Sequence, residues 1–290
     1  MFLQVTGSNK GIGFAIVRSL CKKLHDSDVV YLTSRDVHRG KEAIKQLQKE
    51  GLNPHFHQLD ISDDQSVRKL LDHLLKTHGG LDILVNNAGI RINDPDIPFV
   101  ERVQSALKTN FFDTLKSYNI LSPAIRPHGR VVFVSSGWGP MVYKRISPAL
   151  RKAFAEAKTE DDVQTLIKKF ESDVIAGTHV QKGWAEDDDG LPSYGVSKLG
   201  IISATKIFGE QISKDSRKDI LINSRGKEIY KKMCEVALII LSFIPLNPKC
   251  THELCILHSQ RAYELCLLTS PMIGSSEISD ERRSLQNKQG

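Results

Sequence analysis

Cysteine is scarce in this chain and badly placed for crosslinking. There are five, an odd number, and only Cys21 precedes residue 230. That distribution excludes the disulfide-dense secreted scaffolds and points to a reducing, cytoplasmic compartment. No secretory pattern opens the chain, because Met1 runs straight into a short apolar strand and a glycine loop. Nor does any apolar run approach the ~20 residues that a membrane-spanning helix needs. The longest, Val236–Leu246, is about half that length and contains Pro245, so it reads as a buried strand or short core helix.

Charge of one sign is not gathered anywhere. Lys and Arg number 40 against 34 Asp and Glu, and the net charge of +6 is spread along the sequence. With no basic stripe interleaved with aromatics, nucleic-acid binding is excluded, and a mildly cationic surface suited to small anions remains. Paired Cys-x-x-Cys spacing is missing too. Cys250, His252, Cys255, His258 and Cys266 fall on segments such as ELCIL and ELCLL. These read as apolar helix faces where cysteine is a small hydrophobe, so no metal is expected. No internal repeat is found.

What is present is ordinary globular material, 40% hydrophobic and 26% charged over 290 residues, enough for one large α/β domain. Up to Ser224 the chain alternates two textures. Phe2–Val5, Val29–Thr33, His55–Leu59, Leu81–Val85, Val131–Ser135 and Asp219–Asn223 are short, mostly apolar, strand-like runs. Between them lie helical patterns at Gly13–Leu24, Gly40–Glu50, a segment capped by Ser62, and Gly200–Ser213. Continuous apolar strands separated by amphipathic helices mean an α/β doubly wound parallel sheet covered on both faces. The stretch from Trp138 to Ser193 interrupts this rhythm with two expected helices, one from Ser147-Pro148 and one from about Glu160.

Thr6-Gly7-Ser8-Asn9-Lys10-Gly11-Ile12-Gly13 follows the first strand and opens the first helix. A dinucleotide pyrophosphate needs backbone without side chains and a helix N-terminus, and glycines at 7, 11 and 13 supply both. The alternative is that these glycines serve only the turn. The second strand ends Thr33-Ser34-Arg35, where an NAD-preferring site would place a carboxylate. Arg35, with Lys10 in the glycine loop, favours the 2′-phosphate of NADPH. Asp36, next along, is read either as pairing with Arg35 or as facing solvent. Asp60, ahead of Ile61 at a strand's carboxyl end, is either an acceptor for the adenine amino group or a helix cap.

Tyr194 and Lys198 in Tyr194-Gly195-Val196-Ser197-Lys198 are one helical turn apart on one face. Carbonyl reduction needs a proton for the developing alkoxide. A lysine beside a tyrosine of ordinary pKa ~10 is expected to bring it toward working pH. Asn86-Asn87-Ala88-Gly89, Asn110 and Ser135-Ser136 stand at or near the ends of neighbouring strands.

In order and placement these motifs resemble the short-chain dehydrogenase/reductase superfamily, with its Rossmann fold, over residues 1–224. SNKGIG, SRDVHRGKEA, FHQLDI, GGLDILVNNAGI, KTNFF, YGVSK and the long insert resemble the cytosolic monomeric NADPH carbonyl reductases. The resemblance implies that Ser136 (or Ser135) hydrogen-bonds the substrate carbonyl and that Tyr194 donates the proton. It implies that Lys198 binds the nicotinamide ribose and tunes Tyr194, that Asn110 holds a relay water, and that Asn86 lies along the cofactor. Gly7, Asn9, Lys10, Gly11, Ile12, Gly13, Arg35, Asp60 and Ile61 would complete the cofactor site. Trp138 falls where the family lines its substrate pocket, or is a core tryptophan. The insert, in the family, covers a surface that relatives use for tetramers, which implies a monomer.

The resemblance ends after Ser224. The family continues into a Pro-Gly loop over the nicotinamide, whereas Arg225-Gly226-Lys227-Glu228-Ile229-Tyr230 follows here and no Pro-Gly occurs beyond. The change points to an alternative splice product or an imperfect gene model, with a polar tail, Ser275–Gly290, expected to be disordered. Two functions follow: an NADPH-dependent reductase of aldehydes, ketones or quinones, or a catalytically silent NADPH-binding relative. A membrane-anchored steroid-type dehydrogenase is the remote third.

Overall fold

The apolar runs pair as parallel strands. In a computed structural model, which describes residues 1–187 and 190–225, β1 (Phe2–Val5), β2 (Val29–Ser34), β3 (His55–Gln58), β4 (Leu81–Asn86), β5 (Ile125–Val134) and β6 (Leu221–Arg225) form one sheet. Their order is β3-β2-β1-β4-β5-β6, every pairing is parallel, and β1 meets β2 with Phe2 opposite Val29 and Val5 opposite Leu32. The chain reverses direction across the sheet between β1 and β4. In such sheets the crevice outside the strands' carboxyl ends at that point is where ligands bind. The readings of Val236–Leu246, of the late cysteines and histidines, and of the tail Ser275–Gly290 lie outside the described residues.

Helices α1 (Gly11–Lys23) and α2 (Val37–Lys49) cover one face, where Leu3, Val5, Ile16, Leu20, Leu32 and Leu47 form a buried cluster. The other face carries α3 (Asp64–His78), α4 (Phe99–Leu107), a π-helical turn at Lys108–Asp113, α5 (Thr114–Leu121) and α9 (Leu191–Ile212), around Phe111, Phe133, Tyr118 and Phe208. The α3 cap differs from expectation. Asp63 accepts from Gln65 N–H, while Ser62 is drawn to Asp60.

The insert holds three helices rather than two: α6 (Trp138–Arg145), α7 (Pro148–Glu156) and α8 (Glu160–Ile175). Ser147 caps α7 ahead of Pro148, and Thr159 and Asp162 form a reciprocal capping box on α8. Val163, Ile167, Phe170 and Val174 bury one stripe of α8, which packs on α4 and α9. The far end of α8 is held by Asp173. Its carboxylate accepts from Lys169 (2.7 Å), Lys182 (2.6 Å) and Trp184 Nε1 (2.9 Å). Those donors outweigh burial and hold its carboxyl at about 2.

A histidine cluster sits under α3. Tyr31 Oη lies 2.8 Å from Nε2 of both His73 and His78, and the His57 ring is 5.1 Å from that of His73. Burial first, then the neighbouring His73, lowers the pKa of His78; burial likewise lowers that of His57. A histidine lowered on folding binds its proton more readily in the unfolded chain. Its stabilisation is therefore complete above the ordinary value of ~6.5 and is lost as pH falls through the lowered folded value. Thermal unfolding followed by circular dichroism should show the midpoint falling further below that pH in the wild type than in His78→Gln. Parallel pH curves for the two proteins would contradict this.

Candidate active site

The cofactor end is built around the turn between β1 and α1. Gly7 and Gly11 have φ of +58° and +59°, a region that residues with a Cβ avoid. At Gly13 a Cβ would fall 2.5 Å from Asn87 Nδ2 and 2.9 Å from Gly7 O. The loop is stapled on both sides. Asn87 Nδ2 donates to Thr6 O (2.9 Å) and Gly7 O (3.1 Å), and the N–H groups of Asn87 and Ala88 both donate to Thr6 Oγ1 at 2.8 Å. Ser8 N–H donates to Thr33 O (2.8 Å), and Thr33 N–H returns a bond to Ser8 Oγ (2.9 Å). Asn9 is half-buried within this turn, and Ile12 packs against the α1–α2 core. Lys10 precedes α1 without a side-chain cap, which leaves the helix N-terminus to an anion.

Because Ser8 is tied to Thr33, the glycine loop is fastened to β2, whose end leads directly into Arg35. Lys10 and Arg35 are both exposed, and neither has an ion-pair partner among the described residues. Asp36 does not pair with Arg35 but faces solvent, as the other reading has it. It caps α2, with Oδ1 accepting from Arg39 N–H at 2.9 Å and Oδ2 3.6 Å from Arg39 Nε. Asp60 Oδ1 accepts from Ser62 N–H (3.0 Å) and Ser62 Oγ (2.7 Å), so it closes a local turn and is not the cap of α3. Ile61 turns its side chain into the core. Asn86 ends β4 buried, and its Nδ2 has no hydrogen-bond partner. An orphaned donor at the carboxyl edge of the sheet, beside a glycine cradle and an uncapped helix, fits a bound dinucleotide.

The second half of the site hangs on α9, which begins at Leu191 and so carries both Tyr194 and Lys198. It can approach α6 closely because glycine stands at the crossing. A Cβ on Gly195 would meet Val142 Cγ2 at 2.4 Å and Trp138 O at 2.9 Å. That approach sets Trp138 against Tyr194, edge to face at 6.3 Å between ring centres. Of the two serines after β5, Ser136 meets the Tyr194 hydroxyl with its side chain, and it also accepts from Trp138 N–H at 3.4 Å. Lys198 is buried, its Nζ donating to Val134 O at 2.8 Å and standing 5.5 Å from the Tyr194 ring centre.

Asn110 lies in the π-helical turn. Its Oδ1 accepts from Ile90 N–H (2.7 Å), and its Nδ2 donates to Ile90 O (2.8 Å) and Ser197 Oγ (3.1 Å). The side chain thus pins the segment after β4 to α9. Burial pushes the Tyr194 phenol above its ordinary value, and the Ser136 hydrogen bond and the Arg91 charge only partly offset it. In this state the expected lowering does not occur, and the phenol stays protonated.

Two residues escape a reading by motif. Asn87 staples the loops, although only its neighbour Asn86 was expected at the cofactor. Arg91 lays its guanidinium carbon 3.8 Å over the Trp138 ring and 5.9 Å from the Tyr194 ring centre.

A phenol beside a serine, with a buried lysine one turn on and a dinucleotide cradle near it, is equipped to hand a proton to a carbonyl oxygen. Residues 2–148 match the family model described as short chain dehydrogenase. Carbonyl reductase (NADPH) 1 of Rattus norvegicus is 47% identical over 224 residues, covering 76% of this chain and 78% of the relative. The chain belongs to the short chain dehydrogenase family. Carbonyl reductase (NADPH) 1 of Homo sapiens is likewise 47% identical, with the same coverage on both sides. Among solved structures, salutaridine reductase from Papaver somniferum is 25% identical with a TM-score of 0.71, covering 86% of this chain and 97% of that one. The family expectation drawn from the sequence motifs therefore holds, and so does the doubly wound fold.

Proposed function

We propose that the chain is an NADPH-dependent carbonyl reductase acting on aldehydes, ketones or quinones. The observation that carries this is the convergence of Ser136, after β5, with Tyr194 and the buried Lys198, one turn apart on α9, beside the glycine cradle. Identity of 47% to proteins named NADPH carbonyl reductases supports it. Residues 1–224 form the unit that does this work, with the insert at about 138–193 attached to it, and residues 225–290 are the segment where the sequence leaves the family's pattern.

Gly7, Asn9, Gly11, Ile12 and Gly13 hold the pyrophosphate, Lys10 and Arg35 the 2′-phosphate, and Asp60 with the Ile61 main chain the adenine. Asn86 offers its orphaned Nδ2 along the cofactor, and Lys198 exchanges Val134 O for the nicotinamide ribose. Bound NADPH supplies the hydride. Ser136 Oγ and Tyr194 Oη receive the carbonyl oxygen between them, and Tyr194 passes its proton to that oxygen as the alkoxide develops. The raised phenol pKa keeps that proton in place through neutral pH. Lys198 then stabilises the phenolate left behind. Reprotonation comes through a water held by the main chain of the π-helical turn, since the Asn110 side chain is committed to Ile90 and Ser197.

We place the protein in the cytoplasm as a monomer. Cys21 is unpaired and burial lifts its thiol to about 11, so it stays protonated and inert. The insert helix α8 covers α4 and α9, a face that would otherwise be open to a second subunit. No helix among the described residues is long and apolar enough to cross a membrane.

The test is NADPH oxidation by purified, folded protein with menadione as acceptor. Turnover that requires both quinone and protein is expected, and its absence from folded protein would overturn the reductase reading.

A further inference from the structure

Arg91 follows directly on Asn86-Asn87-Ala88-Gly89-Ile90, at the mouth of the site. It is exposed, and no carboxylate among the described residues neutralises it. The acid nearest in sequence, Asp94, is turned elsewhere: its Oδ1 accepts from Asp96 N–H at 3.0 Å, closing its own turn. Arg102, by comparison, has a full partner in Asp187 at 2.7 Å. What holds Arg91 is the face of Trp138, 3.8 Å beneath its guanidinium carbon. Stacking of this kind fixes the plane of the guanidinium and leaves its edge N–H groups free for a planar, bidentate acceptor. The Tyr194 ring centre is only 5.9 Å away, so the fork and the proton donor face the same space.

The geometry points to Arg91 as a specificity residue that selects carbonyl substrates bearing a carboxylate about one aromatic ring away from the carbonyl. This rests on the reductase reading and narrows its substrate class. With the carbonyl oxygen between Ser136 and Tyr194, a carboxylate at the far end of such a substrate meets the Arg91 fork over Trp138. A neutral aldehyde or quinone leaves the fork to solvent.

The test compares para-carboxybenzaldehyde with its methyl ester, which keeps the ring and the para carbonyl group and removes the charge; the ester's aldehyde is the more electrophilic of the two, so an acid preference in the wild type runs against intrinsic reactivity. Wild type should favour the acid by about tenfold or more in kcat/KM, the worth of one charge-assisted bidentate pair. In Arg91→Met that preference should fall at least about tenfold, mainly through KM, and Arg91→Lys should restore part of it without the bidentate geometry. The preference should also shrink with salt, because the pair is exposed. An acid-to-ester ratio that is the same in Arg91→Met as in wild type, or a wild type that prefers the ester, overturns the proposal. If neither compound is reduced by any variant and menadione is not reduced either, the reductase reading fails, and titration calorimetry of the NADPH complex with both compounds decides the selectivity alone. Tighter binding of the acid that is lost in Arg91→Met supports it, and equal binding of acid and ester overturns it.

Discussion

Tyr194→Phe should lower kcat for carbonyl reduction by about 10²–10⁴-fold, the usual contribution of a positioned general acid, while NADPH still binds. The substitution removes one oxygen. The ring stays packed edge to face against Trp138, and Ser136 keeps its bond from Trp138 N–H, so the fold should be unaffected. What disappears is the proton donor and half of the cradle for the carbonyl oxygen. Ser136→Ala should cost less, because Tyr194 would still hold and protonate that oxygen. The two substitutions together should cost little more than Tyr194→Phe alone, because both act on one oxygen. Fluorescence titration with NADPH should give dissociation constants within about twofold of wild type for both single variants, since neither hydroxyl lies on the glycine cradle. A Tyr194→Phe protein that keeps more than about a tenth of its rate would show that another group supplies the proton.

The second large effect concerns which dinucleotide the protein accepts. Lys10 and Arg35 are both exposed and without ion-pair partners among the described residues, on two segments tied together by Ser8 and Thr33. A 2′-phosphate between them gains charge-assisted hydrogen bonds, while a plain ribose hydroxyl does not. Arg35→Asp removes a cation and supplies the carboxylate that a ribose diol prefers. The preference for NADPH over NADH should fall by about 3 kcal/mol, roughly a hundredfold in the ratio of kcat/KM. Lys10→Ala should lower it by about tenfold, and the double variant by less than the sum because both cations serve one phosphate. Raising salt should increase KM for NADPH and leave that for NADH almost unchanged, since the contact is at the surface. An Arg35→Asp protein with its NADPH preference intact would place the phosphate elsewhere.

How much of this could be read from the sequence depends on how local the cause was. The strands were legible because a parallel sheet buried on both faces demands unbroken apolar runs such as Val131–Val134. The glycine cradle and the Tyr194–Lys198 turn were legible because their chemistry dictates spacing. The apolar pattern of α9 is legible only from Gly200, although the Tyr194–Lys198 turn already requires a helix; the helix runs from Leu191, and Gly195 and Gly200 lie inside it. Their reason is tertiary: Gly195 admits Val142 and the Trp138 carbonyl, and Gly200 admits Phe111. Helix α6 was missed for the matching reason, since Gly139 and Pro140 sit in it and only its packing on α9 makes it helical.

Other features have no sequence signature. The π-helical turn at Asn110 is fixed by contacts to Ile90 and Ser197, far apart in the chain. Asp36 caps α2 and Asp60 closes a turn on Ser62, local contacts that the sequence around them does not single out. Arg91 belongs to no motif. Only the fold shows that it lies over Trp138 and beside Tyr194.

The most direct test of the account follows the hydride itself. NADPH carrying deuterium at both C4 positions would be incubated with the protein and a ketone, and the alcohol examined by mass spectrometry. The account predicts an alcohol with one deuterium on the carbinol carbon, formed at a rate that collapses in Tyr194→Phe. Absence of the alcohol from folded, NADPH-bound protein, or an alcohol without the label, would contradict it.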